Sequence, residues 1–134
     1  MELMDLAIYT TKLFDRKMKK EYVTDGDLCL AALEVMNGDF EADLGGGVLK
    51  KRLALQLGKS GGARSIIFFK KGCDVFFFDG WRKNQITKKG VKEIEDDVLK
   101  TYKDFAAVFL QYDAATIARL KKAKQLREVN CDGC

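Results

Sequence analysis

Histidine and proline are both absent from this 134-residue chain. Without histidine, Ser-His-Asp and Cys-His nucleophilic systems and histidine-paired ribonuclease chemistry are excluded. Long apolar runs are missing too: Ser65 to Phe69 and Val75 to Phe78, like every other apolar run in the chain, are far too short to span a bilayer. The N-terminus shows no basic stretch followed by an apolar one, so no signal peptide is read, and a cytoplasmic protein with no membrane partner is expected. Cysteine is sparse, with Cys29, Cys73, Cys131 and Cys134. The Cys131-Asp132-Gly133-Cys134 ending has CxxC spacing but neither a second such pair nor a histidine to complete four zinc ligands. No metal and no other cofactor is expected. There is no low-complexity segment or internal repeat, so residues 1–126 read as one domain and residues 127–134 as a mobile tail with reduced thiols.

Charge is modest in total, at +4, but uneven along the chain. Residues 1–46 carry five Lys/Arg against ten Asp/Glu, whereas residues 47–92 carry twelve against only Asp74 and Asp79. The middle third therefore stands at +10, as expected of a polyanion-binding face on an otherwise ordinary domain. No group of carboxylates lies among these basic strands, which argues against two-metal phosphodiester cleavage. Gly58-Lys59-Ser60 imitates the end of a phosphate-binding P-loop, but Leu53 stands where that motif needs glycine, and Gly61-Gly62 stands where it needs a helix.

Periodicity gives the architecture. Leu6 to Thr10 is β-prone; Lys12 to Glu21 places Leu13, Phe14 and Met18 on one helical face; and Thr24-Asp25-Gly26-Asp27 caps a helix running from Leu28 to Met36, stopped by Asn37-Gly38. Val48 to Leu57 alternates in part, with Lys50 and Arg52 on one side and Lys51 among the apolar positions on the other. Arg64 to Lys70 and Val75 to Gly80 read as central strands joined by a turn at Lys71-Gly72. From Lys88 the pattern is helical through Val91, Ile94, Val98 and Tyr102, and Asp113-Ala114-Ala115-Thr116 caps a last short helix. The order β-α-α-β-β-β-α-α predicts an α+β domain with a small antiparallel sheet and helices packed on one face.

The strands carry the candidate chemistry. Lys50, Arg52, Lys59, Arg64, Lys70 and Lys83 are cations on or beside adjacent strands, with Trp81 and Arg82 next to the last. Attack on a phosphodiester by a ribose 2′-hydroxyl needs neither metal nor imidazole. It needs a proton acceptor, a group that stabilises the phosphorane and a donor for the leaving 5′-oxygen. Arginine supplies the second role through its fork of donors, and lysine the first or third when neighbouring cations lower its pKa. The same residues also describe a passive RNA-binding face.

Three blocks then stand in order: Leu44-Gly45-Gly46-Gly47-Val48-Leu49-Lys50-Lys51-Arg52, Gly58-Lys59-Ser60-Gly61-Gly62-Ala63-Arg64, and Gly80-Trp81-Arg82-Lys83-Asn84. Together they resemble the HigB branch of the RelE/ParE toxin superfamily, in which a GG-x-x-K-x-R strand leads through a GKxGGxR loop into an aromatic strand. A further strand of that family ends in a GxxKN/S corner. The resemblance implies the RelE-like fold and the toxin of a type II toxin–antitoxin system: a ribosome-dependent, metal-independent mRNA endonuclease that inhibits translation and is blocked by a cognate helix-turn-helix antitoxin. Its partners are then the ribosome and mRNA. By position, Arg64 resembles the phosphate-stabilising arginine, Lys50 or Arg52 the proton acceptor or electrostatic activator, and Lys83 a phosphate contact or proton donor. Lys51, Lys59, Lys70, Trp81, Arg82 and Asn84 are expected RNA contacts, with Trp81 suited to stacking on an unpaired base. The best-known RelE-type enzymes place an arginine and a tyrosine late in the chain, whereas here no tyrosine stands between the Gly80–Asn84 corner and Tyr102, so the general base stays open. Two rival readings stand beside this one: a non-catalytic RNA- or ribosome-binding module or degenerate toxin that uses the same basic face, and a ParE-like inhibitor of DNA gyrase, which would share the fold but not require the strand cations.

Overall fold

The computed structural model describes residues 6–57, 61–82 and 93–131. In chain order it contains β1 (Ile8–Thr11), α1 (Lys12–Lys17), a 3-10 turn (Lys19–Glu21), α2 (Asp25–Met36), β2 (Ala42–Gly45), β3 (Val48–Leu53), β4 (Ala63–Phe68), β5 (Val75–Arg82), α3 (Asp96–Phe109), α4 (Ala114–Lys122) and β6 (Leu126–Glu128). The fold is α+β, as expected. Side chains start three of the helices. Thr11 accepts from the Phe14 amide, Thr24 and Asp27 form a reciprocal capping box, and Asp113 accepts from the Thr116 amide.

The sheet has the order β2-β3-β4-β5-β1-β6. It is mixed rather than antiparallel, because β1 runs parallel to β5 while the other pairings are antiparallel. Nor do the helices share one face. Phe14 of α1 and Leu28, Ala32 and Val35 of α2 pack on Leu49, Leu53, Ile67 and Phe77, while Tyr102 and Ala106 of α3 and Ile117 of α4 pack on Val48, Ile66, Phe68, Phe76 and Phe78. The unbroken apolar runs of β4 and β5 are the sequence mark of strands covered on both sides.

Two strands fall where none is expected. In β2, Asp43 and Gly45 are poor strand formers, and the segment is held by its backbone ladder to β3. β6 pairs with β1, buries Leu126 and is followed by buried Val129, and the Cys131 sulfur is bonded to Cys29 of α2. The domain boundary expected at residue 126 is therefore corrected outward: order continues to Cys131, and Cys29 and Cys131 are not free thiols. Among the described residues, no helix is long and apolar enough to cross a membrane.

Candidate nucleic-acid interface

The register of three strands assembles the site. Arg52 of β3 lies directly opposite Arg64 of β4, and Arg64 lies opposite Trp81 of β5, so one row crosses the sheet. Directly opposed residues hold their Cβ atoms about 4.5–5.5 Å apart, and like charges so placed repel. Lys50, two residues before Arg52, extends the row along the same face. Its ammonium reaches the Glu93 carboxylate at 2.6 Å. Arg52 is exposed and Arg64 half-buried, and among the described residues no carboxylate lies within ion-pair distance of either guanidinium.

Trp81 joins this row because of one extra residue. The β4–β5 register shifts between Ile66, opposite Asp79, and Ile67, opposite Phe77. The bulge at Phe78 reverses the alternation beyond it, so that Phe78, Asp79 and Trp81 face α3 while Gly80 and Arg82 face α1. Gly80 fits there because a Cβ would lie 2.9 Å from the Met18 sulfur and 3.0 Å from Phe14. At the start of β4, Gly62 adopts a φ of +63°, and a Cβ on it would meet the Leu53 carbonyl oxygen at 2.1 Å. Only glycine permits that close return, which brings Arg64 beside Arg52.

Beneath Trp81 a buried polar group ties three elements together. The Tyr102 hydroxyl of α3 donates to Asp79 at 2.5 Å, and the Lys17 ammonium of α1 lies 2.7 Å from the other oxygen of that carboxylate. Burial, followed by the bond to Asp79 and its charge, holds the Tyr102 phenol far above its ordinary pKa. Tyr102 is thus a neutral donor that fixes α3 against β5. Between them opens a cleft of about 230 Å³ lined by Lys17, Trp81, Glu93, Ile94, Glu95, Val98 and Tyr102.

Several expected RNA contacts lie elsewhere. Lys51 is buried on the opposite face, 3.0 Å from Glu34 and 3.8 Å from Asp39, where strand alternation sends it. It is a structural lysine and is removed from the interface. Arg82 faces α1 and pairs with Glu21 at 3.5 Å, away from Trp81. Lys70 follows the far end of β4, on the order of 20 Å along the strand from Arg64, beside Gly47. Lys59, Lys83 and Asn84 lie outside the described residues. Conversely, reading the sequence missed Asp79, Glu93 and Glu95. Asp79 had a signal, since an aspartate interrupting an aromatic strand requires a buried partner.

The family model for the RelE toxin of the RelE/RelB toxin–antitoxin system matches residues 6–129. Comparison with curated proteins yields no match. With the match spanning nearly the whole α+β domain, the chain belongs to the RelE toxin family and is the toxin of a toxin–antitoxin pair, with an antitoxin as its partner.

Proposed function

We propose that this toxin is a HigB-like mRNA endonuclease that works on the ribosome and is silenced by a helix-turn-helix antitoxin. The observation that carries the reading is the Arg52–Arg64–Trp81 row: two arginines at opposed positions of neighbouring strands, with no carboxylate within ion-pair distance among the described residues, beside an aromatic residue. Such opposition costs stability unless an anion enters between the charges, and a phosphodiester supplies one while the ring supplies a stacking surface. In the reaction, the ribose 2′-oxygen attacks phosphorus and the bond to the 5′-oxygen breaks. Arg64 takes the charge of the phosphorane. Lys50 or Arg52 either accepts the 2′-hydroxyl proton or, as a positive charge, favours its loss to water, and Lys83 is the candidate contact or proton donor at the leaving oxygen. The products are a 2′,3′-cyclic phosphate and a 5′-hydroxyl, and the step needs no metal.

Adding the protein to a translating extract and mapping mRNA ends tests this reading. Wild-type protein should produce new 5′-hydroxyl ends, and Arg64→Ala should reduce their yield by about 10²–10³-fold, as for loss of one oxyanion donor, without lowering the unfolding midpoint. Arrested translation without new ends would identify a binder instead. Inhibited gyrase supercoiling without new ends would identify a ParE-like activity.

A further inference from the structure

The cation row adjoins a cleft in which Lys17 is already paired with Asp79, so that the charged groups left to face a ligand there are carboxylates, the wrong sign for phosphate. Glu93 is committed to Lys50, but Glu95 is not committed: it stands at the N-cap of α3, exposed, without a side-chain capping bond and without an ion pair among the described residues. Trp81 contributes its ring. The indole N–H is buried with no acceptor among the described residues while the residue as a whole is half-buried, so what Trp81 offers to solvent is not its N–H. Ile94 and Val98 add apolar surface to the same cleft of about 230 Å³.

A carboxylate only accepts hydrogen bonds and repels phosphate. A ligand bridging the arginines and this cleft therefore needs an anionic group, a flat face and an edge that donates. A nucleotide has the first two, and its base decides the third. Guanine presents N1–H and the N2 amino group side by side, a pair that a carboxylate accepts with both oxygens. Adenine and cytosine offer an amino group beside an acceptor nitrogen, and uracil one N–H between two carbonyls. We propose that this cleft is a guanine slot, with Trp81 stacked on the base, Glu95 reading its donor edge, and the neighbouring phosphate on Arg52 and Arg64. The slot deepens the RNA-cleaving reading given above and rests on it for the presence of RNA.

Trp81 is the sole tryptophan, so its fluorescence reports stacking directly. The probes are the trinucleotides UGU, UAU, UCU and UUU, made 2′-deoxy so that none can be cleaved. UGU should quench saturably and half-saturate at a concentration at least about fivefold lower than the other three, the lower bound for one bidentate base contact. Glu95→Gln, at an exposed position, should erase that preference and leave four equal curves. No quenching, equal quenching of the wild-type protein by all four, or a guanine preference that survives Glu95→Gln overturns the slot. The measurement involves neither ribosome nor cleavage. An absence of mRNA cleavage would sink the nuclease reading without touching the binding curves, whereas equal curves in an active nuclease sink the slot alone.

Discussion

Lys50, Lys51 and Arg52 are consecutive cations on one strand, yet they have opposite fates. Lys51 points to the α1/α2 side, is buried, and meets Glu34 and Asp39. Lys50 and Arg52 point to the α3 side, where the facing residue across the ladder from Arg52 is another arginine. What separates Lys51 from Arg52 is the partner: a buried cation supplied with carboxylates is architecture, and a cation set against its own kind is poised for an external anion, while Lys50, paired with Glu93 at the edge of the cleft, stands between the two. The contrast extends to the whole sheet. The α1/α2 face is closed in charge rather than in shape: its opening of about 420 Å³ sets Lys51 among Glu34 and Asp39, and Cys29–Cys131 fastens the same side, while the α3/α4 face opens at Trp81 into a cleft beside the cation row.

The largest effect that would sharpen this contrast is on the closed face. Cys29 and Cys131 are 102 residues apart in sequence, and the bond joins α2 to the segment after β6. Closing so long a loop restricts the unfolded chain, so Cys131→Ser should lower stability by about 2–4 kcal/mol. Reductant should lower the wild-type midpoint to the same extent and leave the variant unmoved. Other contacts hold the segment as well, since Arg127 reaches Asp15 at 2.9 Å and Asp25 at 3.0 Å. The variant should therefore still fold, and mRNA cleavage per folded molecule should be unchanged. A denaturation midpoint indifferent to Cys131→Ser would show that this face closes without the bond.

A smaller effect compares neighbours directly. Lys51→Ala removes a buried stem and leaves Glu34 and Asp39 without their cation, at a cost of about 1–2 kcal/mol, less than for a fully buried pair because both carboxylates reach solvent. Lys51→Met, which keeps the stem, should recover most of that loss. Arg52→Ala should stay within about 0.5 kcal/mol in stability, as for an exposed substitution, while reducing cleavage. If Lys51→Ala spared stability and reduced cleavage instead, the two faces would have to exchange roles.

Local signals on the sequence located the helix starts at Thr24 and Asp113, the aromatic strands and the cation-bearing strand, because caps and alternation act over a few residues. Alternation alone placed Lys51 with the apolar side, yet charge counting made it a nucleic-acid contact, and burial decides against that. The Arg52–Arg64 pairing depends on the length of the connection between β3 and β4, and the facing of Trp81 and Arg82 depends on a bulge one residue long; neither leaves a periodic trace. The parallel β1–β5 pairing, the return of β6 to β1 and the Cys29–Cys131 bond are long-range contacts between segments that look unremarkable alone. Three residues of strand and a CxxC ending read as a tail until a neighbour is found for them.

The smallest expected effect lies on the other half of the α3/α4 face, at Tyr9, and appears only in alkali. Burial, helped by the charges of Asp74 and Glu128, raises the Tyr9 phenol from 10.0 to about 12. Below pH 10 the phenol is protonated in folded and unfolded chains alike, and its contribution to stability is fully present. As pH rises from 10 towards 12, the unfolded chain ionises first and is favoured, so stability falls with pH. Tyr102 is raised still further and continues the same trend at higher pH. Denaturation midpoints measured from about pH 8 upward should therefore be flat and then decline, and Tyr9→Phe should soften the decline without changing the neutral plateau by more than about 1 kcal/mol. An equally steep decline in Tyr9→Phe would mean that the folded chain leaves this phenol no harder to ionise than the unfolded one, and Tyr9 would then stand as open to water as the ring of Trp81.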